Sequence, residues 1–367
     1  MSAGAALLAW FDRHRRDLPW RRDQDPYRVW VSEIMLQQTR VEAAIPYFER
    51  FVSRFPSVEA LAGAHQAEVL AAWAGLGYYR RARQLHAAAE LVVEQGGFPR
   101  TTASLKALPG VGEYTAAAIA SIAFGVAEPV LDGNVERVLS RWLASGSDPR
   151  QRAVRRTLRE AAAGLLDASR PGDSNQALME LGAMVCVPQR PRCLLCPLAE
   201  TCRGRAGGNP EAFPAPRIKP RPVKVRWLLA LVEEGGRLLL VRRDDASELL
   251  AGTWELPWIE LDAAPLETPS AAATALGRAY GSSWSLLEEL GTVRHGITIR
   301  AITATVCRAR IEAAGEVHQG IEAGWFYREE IARLPRSALL GKALRLVEAR
   351  AEPPGAPGRR PRAGTSR

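Results

Sequence analysis

The chain has 367 residues, of which 47% are hydrophobic, and its formal net charge is +9. This length is greater than one ordinary hydrophobic core requires, and two domains are therefore expected. No apolar stretch approaches the roughly 18 residues of a membrane span, and the short apolar run near the N-terminus lacks the basic segment that precedes it in a signal peptide. We expect a cytoplasmic protein that does not enter a membrane.

The positive charge favours a polyanionic partner, because basic side chains gain affinity by displacing counterions from phosphates. Arginine carries nearly all of this charge, since lysine occurs only at Lys106, Lys219, Lys224 and Lys342. Arginine suits bidentate phosphate contacts, although a high arginine content also follows from genomic composition. Charge therefore indicates a nucleic acid partner without establishing one.

The apolar pattern changes its period along the chain. It begins at helical spacing, which predicts an all-α domain, and a cysteine-rich segment and a Gly- and Pro-rich linker follow. Two short apolar runs then follow at 225–232 and 237–241, joined by a Gly-Gly turn, which predicts a hairpin. Further strand patterns alternate with helical patterns, which predicts a mixed α/β domain, and the last residues resemble a disordered tail. The predicted boundaries are 1–185 for the helical domain, 186–203 for the cysteine loop, 204–222 for the linker, 223–350 for the α/β domain and 351–367 for the tail.

Four cysteines lie close together, with the spacing Cys186-x6-Cys193-x2-Cys196-x5-Cys202. Without an export signal they are poor candidates for disulfides, and their clustering favours a metal site. Four thiolates on one short, proline-stiffened loop suit a four-iron four-sulfur (4Fe-4S) cluster. Zinc is the alternative, although structural zinc sites usually use two close cysteine pairs and this loop has only one.

A Pro-Gly turn between two helical patterns lies at Leu108-Pro109-Gly110-Val111-Gly112. Its glycines allow backbone N–H groups to approach an anion at a helix N-terminus, which predicts a phosphate cradle. Twenty residues after Gly112 the chain has Asp132, followed by Gly133 and Asn134. By itself Asp132 would be explained as a helix cap or a turn residue.

The cysteine spacing, the turn and Asp132 together resemble the helix-hairpin-helix superfamily of DNA glycosylases that includes endonuclease III. The resemblance implies that Asp132 is a catalytic carboxylate and that the cysteine loop faces DNA. In members that also cleave the strand, a lysine at the start of the second hairpin helix attacks the sugar. Here Tyr114 takes that place, and Lys106 is the only lysine of residues 1–185. The resemblance therefore implies a monofunctional glycosylase.

Three further segments narrow the resemblance: residues 18–21, the run from Glu33 to Thr39, and residues 73–83. A Glu-x3-Gln-Gln-Thr run on an otherwise apolar helix is hard to explain by packing, although a solvated helix face is the alternative. Residues 73–83 interleave aromatic residues with arginines, for which ordinary helix packing is the alternative. The segments strongly resemble the adenine glycosylase, or MutY, subfamily, and the resemblance runs from about Leu18 to Cys202 and more loosely to Leu346.

This resemblance assigns roles to individual residues. Cleavage of the bond to adenine builds positive charge on the sugar, so one acid must protonate the base and one carboxylate must support the cation. Glu33 would be the acid, and Asp132 would stabilise the sugar cation. Other residues would support the active site: Tyr114, Asn134, Trp20, Arg21 and Trp30. The predicted DNA contacts are Gln37, Gln38, Thr39, Leu76, Tyr78, Leu108, Gly110, Val111 and Gly112.

In the second domain, residues 239–257 look like the Nudix-related domain with which adenine glycosylases read 8-oxoguanine on the opposite strand. The predicted helix at 270–280 contains no Asp or Glu, which disfavours a metal-dependent Nudix hydrolase. Where the family typically has Phe-Ser-His, this chain has Val293-Arg294-His295. Arg294 could reach a guanine edge or a phosphate, and Arg294 and His295 are the predicted opposite-base residues. A preference for 8-oxoguanine over guanine does not follow from the resemblance.

The sequence thus predicts a base-excision-repair enzyme with an all-α glycosylase domain and a mixed α/β Nudix-like domain. It would hydrolyse the N-glycosidic bond of adenine mispaired with 8-oxoguanine or guanine in double-stranded DNA, as a monomer with one 4Fe-4S cluster. Two alternatives remain: a thymine or oxidised-pyrimidine glycosylase of the same superfamily, and a non-catalytic DNA-binding iron-sulfur protein.

Overall fold

The computed structural model describes residues 1–215, 221–244, 247, 249–261, 268–312 and 321–351. The chain forms two compact units, one of Met1–Leu76 with Arg80–Lys219 and the other of Gly77–Tyr79 with Pro220–Arg367. Buried apolar side chains form separate cores in the two units. Within the described residues, no helix is both long enough and apolar enough to cross a membrane.

The first unit is helical, as the apolar spacing predicts. Several helices begin at a Ser, Thr or Asp whose side chain accepts a hydrogen bond from a backbone N–H of the first turn, as at Ser2, Asp25, Ser57, Thr101 and Asp132. Such caps satisfy amides that the helix itself leaves without acceptors. The helices are α1 (Ala3–His14), α2 (Pro26–Leu36), α3 (Val41–Arg54), α4 (Val58–Ala62), α5 (Gln66–Ala72), α6 (Tyr79–Glu94), α7 (Thr102–Lys106), α8 (Glu113–Phe124), α9 (Gly133–Leu143), α10 (Arg152–Leu165), α11 (Pro171–Met184) and α12 (Arg203–Ala206).

Helix α8 lies at the centre of this unit and is buried from Thr115 to Ser121. Small side chains let its neighbours approach closely: a Cβ atom on Gly172 of α11 would lie 2.7 Å from the Ser121 carbonyl oxygen. Helices α2, α7 and α11 all pack against α8. This packing brings together the parts of α2, α8 and α11 that line the site described below.

The second unit contains two sheets. The first has the order β5-β1-β7-β6, with β1 parallel to β7 and its other pairs antiparallel. In the second sheet, β3 is the central strand and pairs with β2, β4 and β8, and all three pairs are antiparallel. The elements are β1 (Val223–Leu231), β2 (Glu233–Glu234), β3 (Arg237–Arg242), β4 (Trp254–Glu255), β5 (Trp258–Glu260), α13 (Pro269–Tyr280), β6 (Trp284–Ile297), β7 (Arg300–Ile311), β8 (Ala323–Phe326), α14 (Arg328–Ile331) and α15 (Ala338–Ala351).

Strand β1 is buried on both faces from Trp227 to Leu231. Trp227 and Leu229 belong to the core covered by α15, and Leu228 and Ala230 belong to the core covered by α13. A strand covered on both sides has a nearly continuous apolar sequence, which explains why β1 shows no alternation after Arg226. The predicted hairpin of 225–232 with 237–241 is wrong in its pairing, because β1 pairs with β5 and β7. The Gly235-Gly236 turn instead joins β2 to β3.

The segment predicted as a linker is partly folded. Helix α12 occupies its first residues, and the Phe213 carbonyl accepts a hydrogen bond from Arg141 Nε at 3.1 Å. Residues 216–220 lie outside the described residues, as do residues 352–367 of the predicted tail. Ala351, predicted as the first residue of that tail, is the last residue of α15.

Candidate active site

A cavity of about 220 Å³ opens among the helices of the first unit. Both predicted catalytic carboxylates, Glu33 and Asp132, line it, together with Tyr114 and Asn134. The other residues of the lining are Arg16, Leu18, Trp20, Arg21, Val29, Ser32, Leu36, Gln37, Thr39, Val41, Ile122, Gln176, Met179, Glu180 and Ala183.

Glu33 lies on the buried face of α2, and only 6% of it is exposed. The Tyr114 hydroxyl, at the start of α8, donates a hydrogen bond to Glu33 Oε2 at 2.6 Å. Burial raises the pKa of Glu33 from 4.5 to about 7, the Tyr114 hydrogen bond opposes this rise, and the charge of Asp132 adds to it. A large fraction of Glu33 is therefore protonated at neutral pH, as a general acid requires.

Asp132 caps the N-terminus of α9. Its Oδ1 accepts a hydrogen bond from the Val135 amide at 2.7 Å, and its Oδ2 accepts one from Asn134 Nδ2 at 3.2 Å. Burial raises the pKa of Asp132, and these hydrogen bonds act in the opposite direction. The N-terminus of a helix also favours a negative charge. The capping hydrogen bonds that explain Asp132 locally thus also hold its carboxylate in place on the cavity wall, and they favour its ionised form.

Asn134 connects this carboxylate to a second layer of contacts. Its Oδ1 accepts a hydrogen bond from Arg137 Nη2 at 2.9 Å. The same guanidinium donates to the carbonyl oxygens of Gly182 at 2.6 Å and Cys186 at 2.8 Å. Asn134 is therefore held on both sides, which supports its predicted role beside Asp132.

A buried group that the sequence interpretation missed lies on the cavity wall. Glu180 of α11 is 1% exposed and accepts hydrogen bonds from both Arg16 and Arg21 at distances of 2.9–3.2 Å. The two guanidinium groups lower the pKa of Glu180 to about 2, against the effect of burial. A lone glutamate within the apolar sequence Ala177-Leu-Met-Glu-Leu-Gly was the available signal. The cavity wall that includes Trp20 therefore carries the negative charge of Glu180 and the positive charges of Arg16 and Arg21.

The structure separates three of the predicted active-site support residues, Trp20, Arg21 and Trp30. Trp20 and Arg21 line the cavity, whereas Trp30 does not. Trp30 is fully buried and contacts Phe98 edge-on, with ring centroids 5.5 Å apart. Its place in α2, three residues before Glu33, is on the flank that faces away from the cavity.

The predicted DNA-contacting residues after α2 differ in their surroundings. Gln37 and Thr39 line the cavity, and Gln37 Nε2 donates a hydrogen bond to Thr115 Oγ1 at 3.4 Å. Gln38 is exposed and has a φ of 60°, in the left-handed region. Tyr78 is 50% exposed with a φ of 51°, and Leu76 is half-buried. Non-glycine residues held in this backbone region often mark functional loops.

The Pro-Gly turn precedes α8 as predicted. The side chains of Leu108 and Val111 are buried, while Gly110 and Gly112 are exposed. Gly110 has a φ of 74°, and a Cβ atom there would lie 2.8 Å from the Cβ of Gln84. The turn therefore requires glycine at Gly110 and presents backbone at the N-terminus of α8.

The four clustered cysteines are free, half-buried, and line one small cavity beside the buried Arg141. Burial raises the pKa of the Cys196 thiol to about 12. The Arg141 guanidinium donates to the carbonyl oxygens of Val187 and Pro188, both at 2.7 Å, and so shapes the loop. In the part of the chain that the structure describes, no three His, Cys, Asp or Glu side chains are arranged to hold a single metal ion.

The predicted opposite-base residues lie on β6 of the second unit. Arg294 is exposed and pairs in register with Thr303 of β7. His295 is half-buried, and burial and the nearby Lys342 lower its pKa, so the imidazole is neutral at pH 7. Lys342 Nζ donates a hydrogen bond to the Arg294 carbonyl oxygen at 2.7 Å.

Comparison with known proteins agrees with this architecture. Residues 31–163 match the family described as HhH-GPD superfamily base excision DNA repair protein, and residues 227–346 match the NUDIX domain family. A solved thermostable thymine-DNA glycosylase has a TM-score of 0.51 and 28% identity, over 56% of this chain and 95% of its own.

Curated relatives cover both units of the chain. The adenine DNA glycosylase of Mus musculus is 37% identical over 93% of this chain and 77% of its own length. That of Homo sapiens is also 37% identical, over 94% of this chain and 73% of its own length. The chain therefore belongs to the adenine DNA glycosylases, within the HhH-GPD superfamily of base excision repair proteins.

Proposed function

We propose that this glycosylase removes adenine mispaired with 8-oxoguanine or guanine in double-stranded DNA, as a monomer. The observation that carries the proposal is the pair of carboxylates in one cavity with unlike surroundings. Glu33 is buried and has a pKa near 7, whereas Asp132 receives two hydrogen bonds at a helix N-terminus. Unlike environments of this kind separate an acid from an ionised carboxylate.

In the proposed reaction Glu33 donates a proton to a ring nitrogen of the extruded adenine. Protonation turns the base into a neutral leaving group, and the bond to the sugar breaks with its electron pair on the base. Glu33, now ionised, then accepts a proton from the attacking water. The Tyr114 hydroxyl, which donates to Glu33 Oε2, stabilises that ionised state and keeps the carboxyl group in place.

Asp132 supports the positive charge that develops on the sugar. Its two hydrogen-bond donors, Val135 and Asn134, favour its ionised form against the effect of burial and orient the carboxylate. A fixed negative charge in a buried cavity stabilises a developing cation more strongly than it would in water. Removal of the charge without change of shape should therefore abolish base release.

The monofunctional character rests on the residues around the cavity. Its lining includes arginines but no lysine, and Lys106, the one lysine of residues 1–185, lies on α7 before the hairpin. An arginine stays protonated and is a poor nucleophile. Without an amine to form a Schiff base, strand cleavage is not expected.

Access to adenine requires its extrusion from the duplex, at a cost of a few kcal/mol. Gln38, Tyr78 and Leu76 are the proposed residues around the vacated position, and the exposed left-handed positions of Gln38 and Tyr78 support this. The proposed phosphate contacts come from Gly110 and Gly112 at the N-terminus of α8, where the helix favours anions. Trp20 and Arg21 would contact the extruded base.

The four-cysteine cavity fits a 4Fe-4S cluster held by Cys186, Cys193, Cys196 and Cys202. In a cubane cluster each thiolate binds a different iron, so four thiols around one cavity are needed, and all four line the same cavity here. When bound, the cluster would stabilise the loop that follows α11. The catalytic steps proposed above do not pass through it.

Arg294 and His295 are the proposed contacts to the base opposite adenine. Arginine donates two parallel hydrogen bonds to O6 and N7 of guanine, but 8-oxoguanine carries a hydrogen on N7. An exposed arginine on β6 can therefore donate both hydrogen bonds to guanine but only the one to O6 of 8-oxoguanine. We accordingly propose a weaker discrimination between 8-oxoguanine and guanine than a serine at this position would allow.

Like the mispair and the monomeric state, a cytoplasmic location is part of the proposal.

The test is a single-turnover assay on duplexes with adenine opposite 8-oxoguanine, guanine and cytosine, analysed with and without alkali. We expect base release opposite the first two, and strand breaks only after alkali. Glu33→Gln and Asp132→Asn should bind the duplexes but release no adenine, while the surface control Glu94→Gln should behave as the unmodified protein. Release of thymine instead of adenine, or strand cleavage without alkali, would contradict the proposal.

A further inference from the structure

An arginine outside the cavity connects α6 to the end of the helix that carries Glu33. Arg81, in the first turn of α6, donates a hydrogen bond from Nη1 to the Ile34 carbonyl oxygen at 3.0 Å and another to the Gln37 carbonyl oxygen. Ile34 directly follows Glu33, and Gln37 directly precedes Gln38. One guanidinium group therefore contacts the backbone beside both of these residues.

The C-terminus of α2 needs such a contact. The last carbonyl groups of a helix have no amide donors within the helix, and a cation near them is favourable. Helix α2 has no basic residue in its last turn, and it ends at Leu36 with Gln37 as the cap residue. Arg81 provides both the donors and the positive charge from a neighbouring helix.

The residue after this helix end is held in a costly conformation. Gln38 has a φ of 60°, which glycine adopts freely but a residue with a Cβ atom adopts reluctantly. Such a conformation persists only where surrounding contacts hold it. The hydrogen bond from Arg81 to the Gln37 carbonyl fixes the peptide group that joins Gln37 to Gln38.

The guanidinium group of Arg81 is itself held in place. Its Cζ atom lies 5.7 Å from the ring centroid of Trp73, which is fully buried and contacts Phe51 edge-on. A cation over a buried aromatic ring gains cation–π attraction. The rigid ring therefore sets where the two donated hydrogen bonds point.

We propose that Arg81 is a positioning residue for base extrusion. It keeps Gln38 in the conformation that enters the duplex, before DNA arrives, so that filling the vacated position costs no further reorganisation. The proposal rests on the function proposed above, since it requires that Gln38 acts at the extruded base. It adds that the donors and charge of Arg81, and not its packing alone, set the extrusion equilibrium.

The experiment measures extrusion separately from base release. Variants are made in the Asp132→Asn background, and 2-aminopurine, whose fluorescence rises when it unstacks, replaces the target adenine. One duplex places it opposite 8-oxoguanine, and a second places it opposite an abasic site, where extrusion is easier. The variants are Arg81→Met, Arg81→Lys and the matched control Arg80→Met, which removes one positive charge from the exposed neighbouring position on α6.

For Arg81→Met we expect the fraction extruded opposite 8-oxoguanine to fall about tenfold, the factor that corresponds to loss of one left-handed backbone conformation. Opposite the abasic site the loss should be markedly smaller. Arg81→Lys, which keeps the charge and can still donate to both carbonyl groups, should recover most of the extrusion. Arg80→Met should extrude the base as the parent does.

Three results would overturn the proposal: normal extrusion by Arg81→Met, equal defects in Arg81→Met and Arg81→Lys, or the same loss on both duplexes. If Arg81→Met does not fold, Arg81→Gln replaces it; its amide keeps a donor but removes the charge, so extrusion opposite 8-oxoguanine should fall below that of Arg81→Lys, and equal extrusion by the two variants would contradict the role of the charge. Failure of the proposed function would appear differently, as absence of adenine release by the unmodified protein. In that case the fluorescence of the parent would also stay low on both duplexes.

Discussion

The hydrogen bond from Tyr114 to Glu33 should control the pH range in which the enzyme works. At 2.6 Å from a carboxylate in a buried site, the Tyr114 hydroxyl stabilises the ionised form of Glu33. Glu33 must be protonated to act as an acid, so base release should fall as the pH rises through its pKa of about 7. Tyr114→Phe removes the hydroxyl and leaves the ring, and the pKa of Glu33 should rise.

The size of this effect follows from the strength of the bond. A hydrogen bond to a charged group contributes about 1.5–3 kcal/mol, and 1.36 kcal/mol corresponds to one pH unit. The descending limb of the pH–rate profile should therefore move upward by about one to two pH units in Tyr114→Phe. Below the limb, where Glu33 is protonated in both proteins, the rates should differ much less.

The assay is single-turnover release of adenine from one duplex, measured between about pH 5 and pH 9 at constant ionic strength. Glu33→Gln is the control, since it should show no enzymatic release at any pH. A limb that stays near pH 7 in Tyr114→Phe would show that this hydrogen bond does not set the pKa. A limb that moves to lower pH would refute the reasoning altogether.

Other predictions concern the same unit. Asp132→Asn should abolish adenine release without lowering the melting temperature appreciably, because asparagine caps helices as well as aspartate. Burial raises the pKa of Glu33 from 4.5 to about 7, so the stability that its proton contributes is complete below about pH 4.5 and is lost as the pH rises through 7. Urea unfolding at pH 8 should therefore find Glu33→Gln more stable than the unmodified protein by about 3 kcal/mol, and equal stability would argue against the raised pKa. Glu180→Ala leaves two arginines without their carboxylate and should cost about 3–5 kcal/mol in the same assay; a loss below 1 kcal/mol would mean that water replaces the ion pairs. Cys196→Ser should reduce the visible absorbance of the purified protein and its iron content, and unchanged iron content would contradict the cluster.

Local features of the sequence were sufficient to identify much of the site. The glycine turn before α8 and the capping position of Asp132 depend on neighbouring residues only, and the structure has both where the sequence predicts them. Local sequence was not sufficient for Trp30 and Val29, which precede Glu33 on α2 by three and four residues. Helical spacing allows either flank to face the cavity, and packing against Phe98 decided that Trp30 faces away.

The pairing of β1 shows the same limit in the second unit. From Trp227 to Leu231 its apolar residues are continuous because both faces are covered, so this half contains no alternation from which a face or a partner could be inferred. Its parallel neighbour β7 lies more than seventy residues further along the chain. Such pairings depend on contacts between distant segments, which local patterns do not contain.

The residue types and spacings by themselves determined the two-domain organisation, the shared lineage with DNA glycosylases, and the two carboxylates. Tertiary structure alone decided their chemistry. Glu33 becomes an acid near neutral pH because folding removes it from water beside Asp132, and Glu180 stays ionised because folding brings Arg16 and Arg21 to it from a distant segment. A pKa depends on burial and on charges close in space, and neither is a property of the sequence around the residue.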